Sequence, residues 1–167
     1  MLLDRGGLEI LDPGECRALL RQAEVGRIVF THNALPAIQP VNYVLVGEDI
    51  VIRTSRTSRL ATGATGTIVA FEIDHFGVGA RTGWSVVAVG PARRVSAPGE
   101  IAALEKIELR SWVPGQRDQF IRIRPEMLSG RRIPGGPVGV RPDGAAAHDR
   151  ETALDPDPER DDGSTLV

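Results

Sequence analysis

Ile50-Val51-Ile52-Arg53-Thr54-Ser55-Arg56-Thr57-Ser58-Arg59-Leu60 passes from a β-branched run into three arginines set among hydroxyls. Branched side chains fit a pleated surface, so Ile50 to Thr54 reads as a strand and the polar residues after it as the loop it delivers. No Asp or Glu occurs between Ile50 and Phe71, so Arg53, Arg56 and Arg59 lack a local counter-charge and want an external partner. Guanidinium forks match phosphate oxygens, and loop hydroxyls and N–H groups can fill the remaining acceptor sites. Ser58 reads as the cap of a short helix from Leu60 to Gly63. Charge-assisted hydrogen bonds contribute roughly 1.5 to 3 kcal/mol each, so three or four would hold a phosphorylated cofactor at micromolar affinity or better. Composition alone is equally compatible with a solvated turn carrying scattered arginines.

The 167 residues, 41% of them hydrophobic, are enough for one domain with a real core and too few for two. The net charge of −2 hides an asymmetry. Residues 134–167 carry eight acids and three arginines, which leaves 17 basic and 14 acidic residues, a net of +3, in the preceding part. A mildly basic domain suits a small anionic ligand. Nucleic acid would ask for a dense basic face with aromatic platforms, and aromatics are only 4%. The single cysteine, Cys16, rules out an intramolecular disulfide and fits a reducing, cytoplasmic setting. No apolar run approaches the ~18 residues of a membrane span.

Residues 1–11 read as a flexible arm. Asp12-Pro13-Gly14-Glu15 has the cap, first-position proline and third-position acid of a helix start. Cys16, Leu19, Leu20 and Ala23 then form its apolar stripe, with Gly26 as its end. Strands are expected at Arg27 to Thr31, Ala37 to Val46, Ile50 to Thr54, Thr67 to Asp74, Trp84 to Val95 and Gln119 to Arg124, with a helix at Pro98 to Glu108 and a turn at Leu109 to Gln116. A proline inside a strand, as at Pro40, implies an edge, a bulge or the first paired residue. The last 34 residues hold five glycines, five prolines and no aromatic, and are expected to be disordered. The expectation is a mainly β, six-stranded antiparallel barrel over 12–133 with two or three short helices.

Gly77 to Gly83 has the glycines of a dinucleotide loop but one residue too many, and it precedes a strand, so it reads as a hairpin. There is no Walker loop and no Gly-x-Ser-x-Gly elbow. Glu72 and Asp74 share one strand face and His75 the other, so no metal site is expected from that segment. His32 is the one histidine worth nominating as an acid or base, against a solvent-facing turn residue as the plainer reading.

Taken in order, Val25-Gly26-Arg27-Ile28, Gln39-Pro40-Val41-Asn42-Tyr43, Ile50 to Leu60, Ala70-Phe71-Glu72-Ile73-Asp74, Gly83-Trp84-Ser85-Val86-Val87 with Gly90, and Ser129-Gly130-Arg131-Arg132 resemble the pyridoxamine 5'-phosphate oxidase-like FMN-binding split barrels, in particular the nitroimidazole-reductase-like branch. The resemblance implies a homodimer with FMN in a groove between subunits, acting as an oxidoreductase on a small organic substrate. It implies that Arg53, Thr54, Ser58 and Arg59 grip the phosphate, that Leu60 begins the helix behind it, that Val41 and Asn42 line the ring, and that Trp84 and Ser85 close the site. A deazaflavin coenzyme in place of FMN, or a non-catalytic flavin- or haem-binding role, is the alternative, because fold does not choose chemistry. Arg131 and Arg132 have no histidine partner of the kind the oxidase branch uses for its pyridoxal substrate.

Overall fold

The computed structural model describes residues 2–77, 81–107, 109 and 117–134. In chain order these give β1 (Glu9–Leu11), α1 (Pro13–Gln22), β2 (Val25–His32), β3 (Leu35–Val46), β4 (Asp49–Thr54), α2 (Arg59–Ala64), β5 (Ile68–Gly77), β6 (Thr82–Arg94), α3 (Pro98–Glu105), β7 (Gln119–Ile123) and β8 (Met127–Ile133). All strand pairings are antiparallel, and β6-β5-β2-β3-β4-β7 closes on itself through a β6–β7 pairing, a six-stranded barrel.

Closure depends on two strands that each serve two partners at different heights. β3 pairs with β2 over Leu35 to Asn42 and with β4 only from Tyr43 to Val46. β6 pairs with β5 along nearly its whole length, with β8 over Gly83 to Val89, and with β7 over Ala92 to Arg94. The bend between those last two segments falls at Gly90, where an added Cβ would lie 1.9 Å from the carbonyl oxygen of Arg124. Side chains alternate across each strand, and the inward set is apolar: Ile28, Ile50, Ile52, Phe71, Ile73, Val86, Ile121 and Ile123 are all fully buried. Each such burial is worth about 1.5 to 3 kcal/mol. Tyr43 belongs to the same core, edge-on to Phe71 with ring centroids 4.8 Å apart, and its hydroxyl donates to the Leu20 carbonyl at 2.7 Å. Burial pushes that phenol well above its ordinary pKa.

α1 starts as the sequence dictates. Glu15 N–H donates to Asp12 Oδ1 at 2.9 Å and Asp12 N–H to Glu15 Oε2 at 3.2 Å, and Cys16 and Leu20 are buried on its inner face. Its end differs from expectation: the helix stops at Gln22 with Ala23 as cap, and Gly26 lies inside β2. Glycine is needed there because a Cβ would come 2.2 Å from the Phe71 ring. The β2–β3 connection is also tighter than expected, a two-residue turn with Asn33 and Ala34 both at positive φ. In the segment read as a flexible arm, Glu9–Leu11 pairs with β8, and β8 itself was not expected as a strand. At the ends of the glycine-rich segment Gly77 pairs with Thr82 and Phe76 with Gly83, and 78–80 lie outside the described residues. Of the expected tail, 135–167 lies outside the described residues, as does most of the expected turn at Leu109 to Gln116.

Gly90→Ala should cost about 3 kcal/mol or more in urea unfolding, since backbone rather than a movable side chain blocks the added methyl. Gly99→Ala, in α3 with open space around its Cα, should be neutral or stabilise by up to about 1 kcal/mol.

Candidate functional site

The β4–β7 ladder presents the arginine-rich loop at one end of the barrel. Arg53 pairs with Phe120 and Thr54 with Gln119. By alternation Thr54 turns inward, only 1% exposed, while Arg53 turns outward. Thr54 Oγ1 and Ser58 Oγ are 2.9 Å apart, and Ser58 Oγ accepts from Ala61 N–H at 3.0 Å as the N-cap of α2. The loop is therefore braced from the barrel interior. α2 is held down by Leu60, Ala61 and Ala64, all buried, and by Gly63, which lies against the Phe30 ring where a Cβ would be 2.8 Å away. Leu60 is thus a core residue that seats the helix.

The three arginines differ. Arg53 donates through Nε to the Arg117 carbonyl at 2.8 Å and stacks 5.3 Å from the Phe120 ring centre, which fixes the guanidinium and leaves its two Nη groups unbonded among the described residues. Arg56, expected to want an external partner, has an internal one: its backbone N–H and its Nε meet the two oxygens of Asp118 at 3.3 and 3.0 Å. Asp118 lies 62 residues away in sequence. Arg59 is exposed, and its guanidinium has no hydrogen bond or ion pair among the described residues.

Beside Arg53 lies a small cleft of about 60 Å³ lined by Gln39, Pro40, Val41, Asn42, Arg53, Leu109 and Arg117. Its wall is the half of β3 that no second strand covers among the described residues, which is why prolines are tolerated at Pro36 and Pro40. Asn42 is held by a long hydrogen bond from Nδ2 to the Glu24 carbonyl, 3.5 Å. The structure thus brings Val41, Asn42 and Arg53 together, with the hydrogen-bonded Thr54 and Ser58 next along the chain. Trp84 and Ser85 do not line this cleft. Trp84 is paired with His75 and Arg132, its ring 6.3 Å from the imidazole, and Ser85 with Asp74 and Arg131. His32 ends β2 beside the hairpin turn and lines no part of the cleft. Glu72 and Asp74 do share a face, where Arg27 bonds both, Glu72 at 3.1 Å.

Arg117 is the cleft residue that sequence reasoning missed. Its Nε is buried with no partner among the described residues, and it precedes β7 with no periodic or motif signal to mark it. Gln39 and Pro40 adjoin the expected Val41 and Asn42.

Residues 12–132 match the sequence pattern of the Pyridoxamine 5'-phosphate oxidase family. The chain belongs to that family. The uncharacterized protein Rv0080 of Mycobacterium tuberculosis is 39% identical over 128 residues, which is 74% of this chain and 84% of that protein. The solved FAD binding protein from Mycobacterium smegmatis is 33% identical with a TM-score of 0.64, over 74% of this chain and 96% of that one. An FAD-binding protein from Mesorhizobium loti, 20% identical over 75% of this chain and 98% of that one, shares the fold with a TM-score of 0.60. At the cleft, two guanidinium groups, Arg53 and Arg117, have no carboxylate partner among the described residues and stand beside the edge of β3.

Ser58→Ala removes the cap and the tie to Thr54 together. It should lower stability by about 1 kcal/mol in chemical unfolding, whereas Thr57→Ala, on the exposed side of the loop, should stay within about 0.5 kcal/mol of wild type.

Proposed function

We propose that this protein is a homodimeric, cytoplasmic flavin-dependent oxidoreductase that holds FMN by its phosphate and acts on a small organic substrate. The observation that carries the reading is the anchored Arg53 guanidinium, its Nε committed to Arg117 and its Nη groups unbonded among the described residues. In this reading Arg53, Arg59, Thr54 and Ser58 meet the phosphate, and Leu60 seats the helix behind it. The uncovered edge of β3 at Val41 and Asn42 meets the ring. The flavin supplies two-electron redox chemistry; the chain supplies binding, orientation and the polarity around the ring. No carboxylate or imidazole lines the cleft among the described residues, so the role of its side chains is positional. FAD is a second reading, favoured by Arg117, which brings another guanidinium to the same cleft for a second phosphate.

The described cleft, about 60 Å³, would meet only part of a flavin, and in this reading a second copy completes the site. The outer face of the sheet offers a surface for one. Ile38, Val29, Ala70, Val89 and Met127 are successive register partners across β3, β2, β5, β6 and β8, an apolar row about 19 Å wide at the usual strand spacing. Ile38 and Met127 at its ends are 67% and 69% exposed, with Ile68 on the same face at 62%. An in-register apolar row of that width supports an interface with a second copy. Ser85 lies on that same outer face.

The purified protein should carry a flavin absorbance spectrum. Arg53→Ala with Arg59→Ala should lose about 3 to 6 kcal/mol of binding, at least a hundredfold in Kd, with the fold intact by circular dichroism. A variant that stays yellow at assay dilution would contradict the reading. Wild type should run as a dimer by light scattering and Ile38→Asp with Met127→Asp as a folded monomer with weakened flavin binding. A monomeric wild type would remove the second subunit from the account.

A further inference from the structure

We propose that a second recess, at the barrel end where β6 leaves for α3, binds the phosphate group of a small metabolite distinct from the flavin. The recess has a volume of about 200 Å³ and is lined by Arg56, Arg94, Ser96, Asp118 and Gln119, with Val95, Ile101 and Phe120 as its apolar part; it shares no described residue with the cleft beside Arg53.

Its charge is a product of strand alternation. Arg93 and Arg94 are neighbours on β6 and point to opposite faces. Arg93 turns to the outer face and pairs with Glu100 at 2.8 Å, and Arg122 on that face takes Glu100 and Asp49 at 2.8 and 2.9 Å. The acids of the region are thereby used on the outside. Arg94, paired in register with the fully buried Ile121, stands on the inward face at the barrel mouth and has no ion pair among the described residues. Arg56 enters from the loop with Asp118 attached. Two guanidinium groups against one carboxylate leave the recess with one net positive charge.

Gln119 gives the recess its second signature. It is 4% exposed, and its amide nitrogen has no hydrogen-bond partner among the described residues. A buried N–H donor with nothing to bond is destabilising, and a leucine of similar size would avoid that cost. Gln119 lines the recess, and a turn of its side chain would bring the buried amide to an acceptor bound there. Forked guanidinium donors, the Ser96 hydroxyl and an amide N–H together match a tetrahedral oxyanion with several acceptor oxygens better than a single planar carboxylate. The recess is larger than a phosphate ion, which leaves room for the esterified body of a metabolite against Ile101 and Phe120.

The test titrates inorganic phosphate into the full-length, flavin-saturated protein at constant ionic strength, followed by calorimetry. One binding event is expected, weakened about tenfold or more in Arg94→Gln, where a charge-assisted contact is lost. Gln119→Leu should bind phosphate severalfold more weakly while unfolding at a higher temperature, a combination that simple damage to the fold would not produce. No binding at millimolar phosphate, or an affinity unchanged in both variants, would overturn the proposal. So would phosphate binding that appears only when flavin is omitted, since the anion would then be occupying the cofactor cleft. If the chain takes up no flavin at all, the same titration on the flavin-free protein still decides by its dependence on Arg94.

Discussion

The backbone hydrogen bonds of β6 are divided among three neighbours, and the rest of the molecule follows from that division. One flank of the strand goes to β5 throughout, the other to β8 below the bend and to β7 above it. The bend closes the barrel through β7, and β7 in turn fixes β4, whose last two residues are Arg53 and Thr54. The position of the arginine loop is therefore set by a bend in a strand far from it in sequence. Gly90 is the residue that lets the bend approach the Arg124 carbonyl.

The same closure leaves an edge uncovered. β3 crosses from β2 to β4 partway along, so its first half pairs on one side only. An exposed strand edge invites pairing with another chain, and proline is one way to blunt it. Pro36 and Pro40 lie in this half, and Pro40 lines the cleft with Arg53 and Arg117. Backbone edge and guanidinium pair thus lie side by side at this cleft.

Much of this was legible in the chain. The capping box at Asp12, the arginine loop ending in a Ser58 cap and the edge character of Pro40 each follow from local chemistry and stand in the structure. What was not legible depends on distant partners. Arg56 seemed to lack a counter-charge because Asp118 arrives from β7. Gly26 looked like a helix terminator because nothing local says that the Phe71 ring will lie against it. β8 escaped notice because Ser129-Gly130-Arg131-Arg132 has neither alternation nor branched residues. Its Gly130 is explained by Cys16 Sγ and Leu11, 2.6 and 2.9 Å from where a Cβ would be, and its arginines by Asp4, Glu9 and Glu15. Arg117 had no signal at all, since its importance lies in a backbone carbonyl that orients another residue's side chain.

The central claim is that the barrel end is built to neutralise a bound flavin's phosphate. A crystal structure of the protein grown with flavin tests it most directly. The account predicts phosphate oxygens within hydrogen-bonding distance of the Arg53 Nη groups and of Arg59, with the ring against the edge of β3 at Val41 and Asn42. A flavin bound elsewhere, with both guanidinium groups turned to solvent, would contradict it.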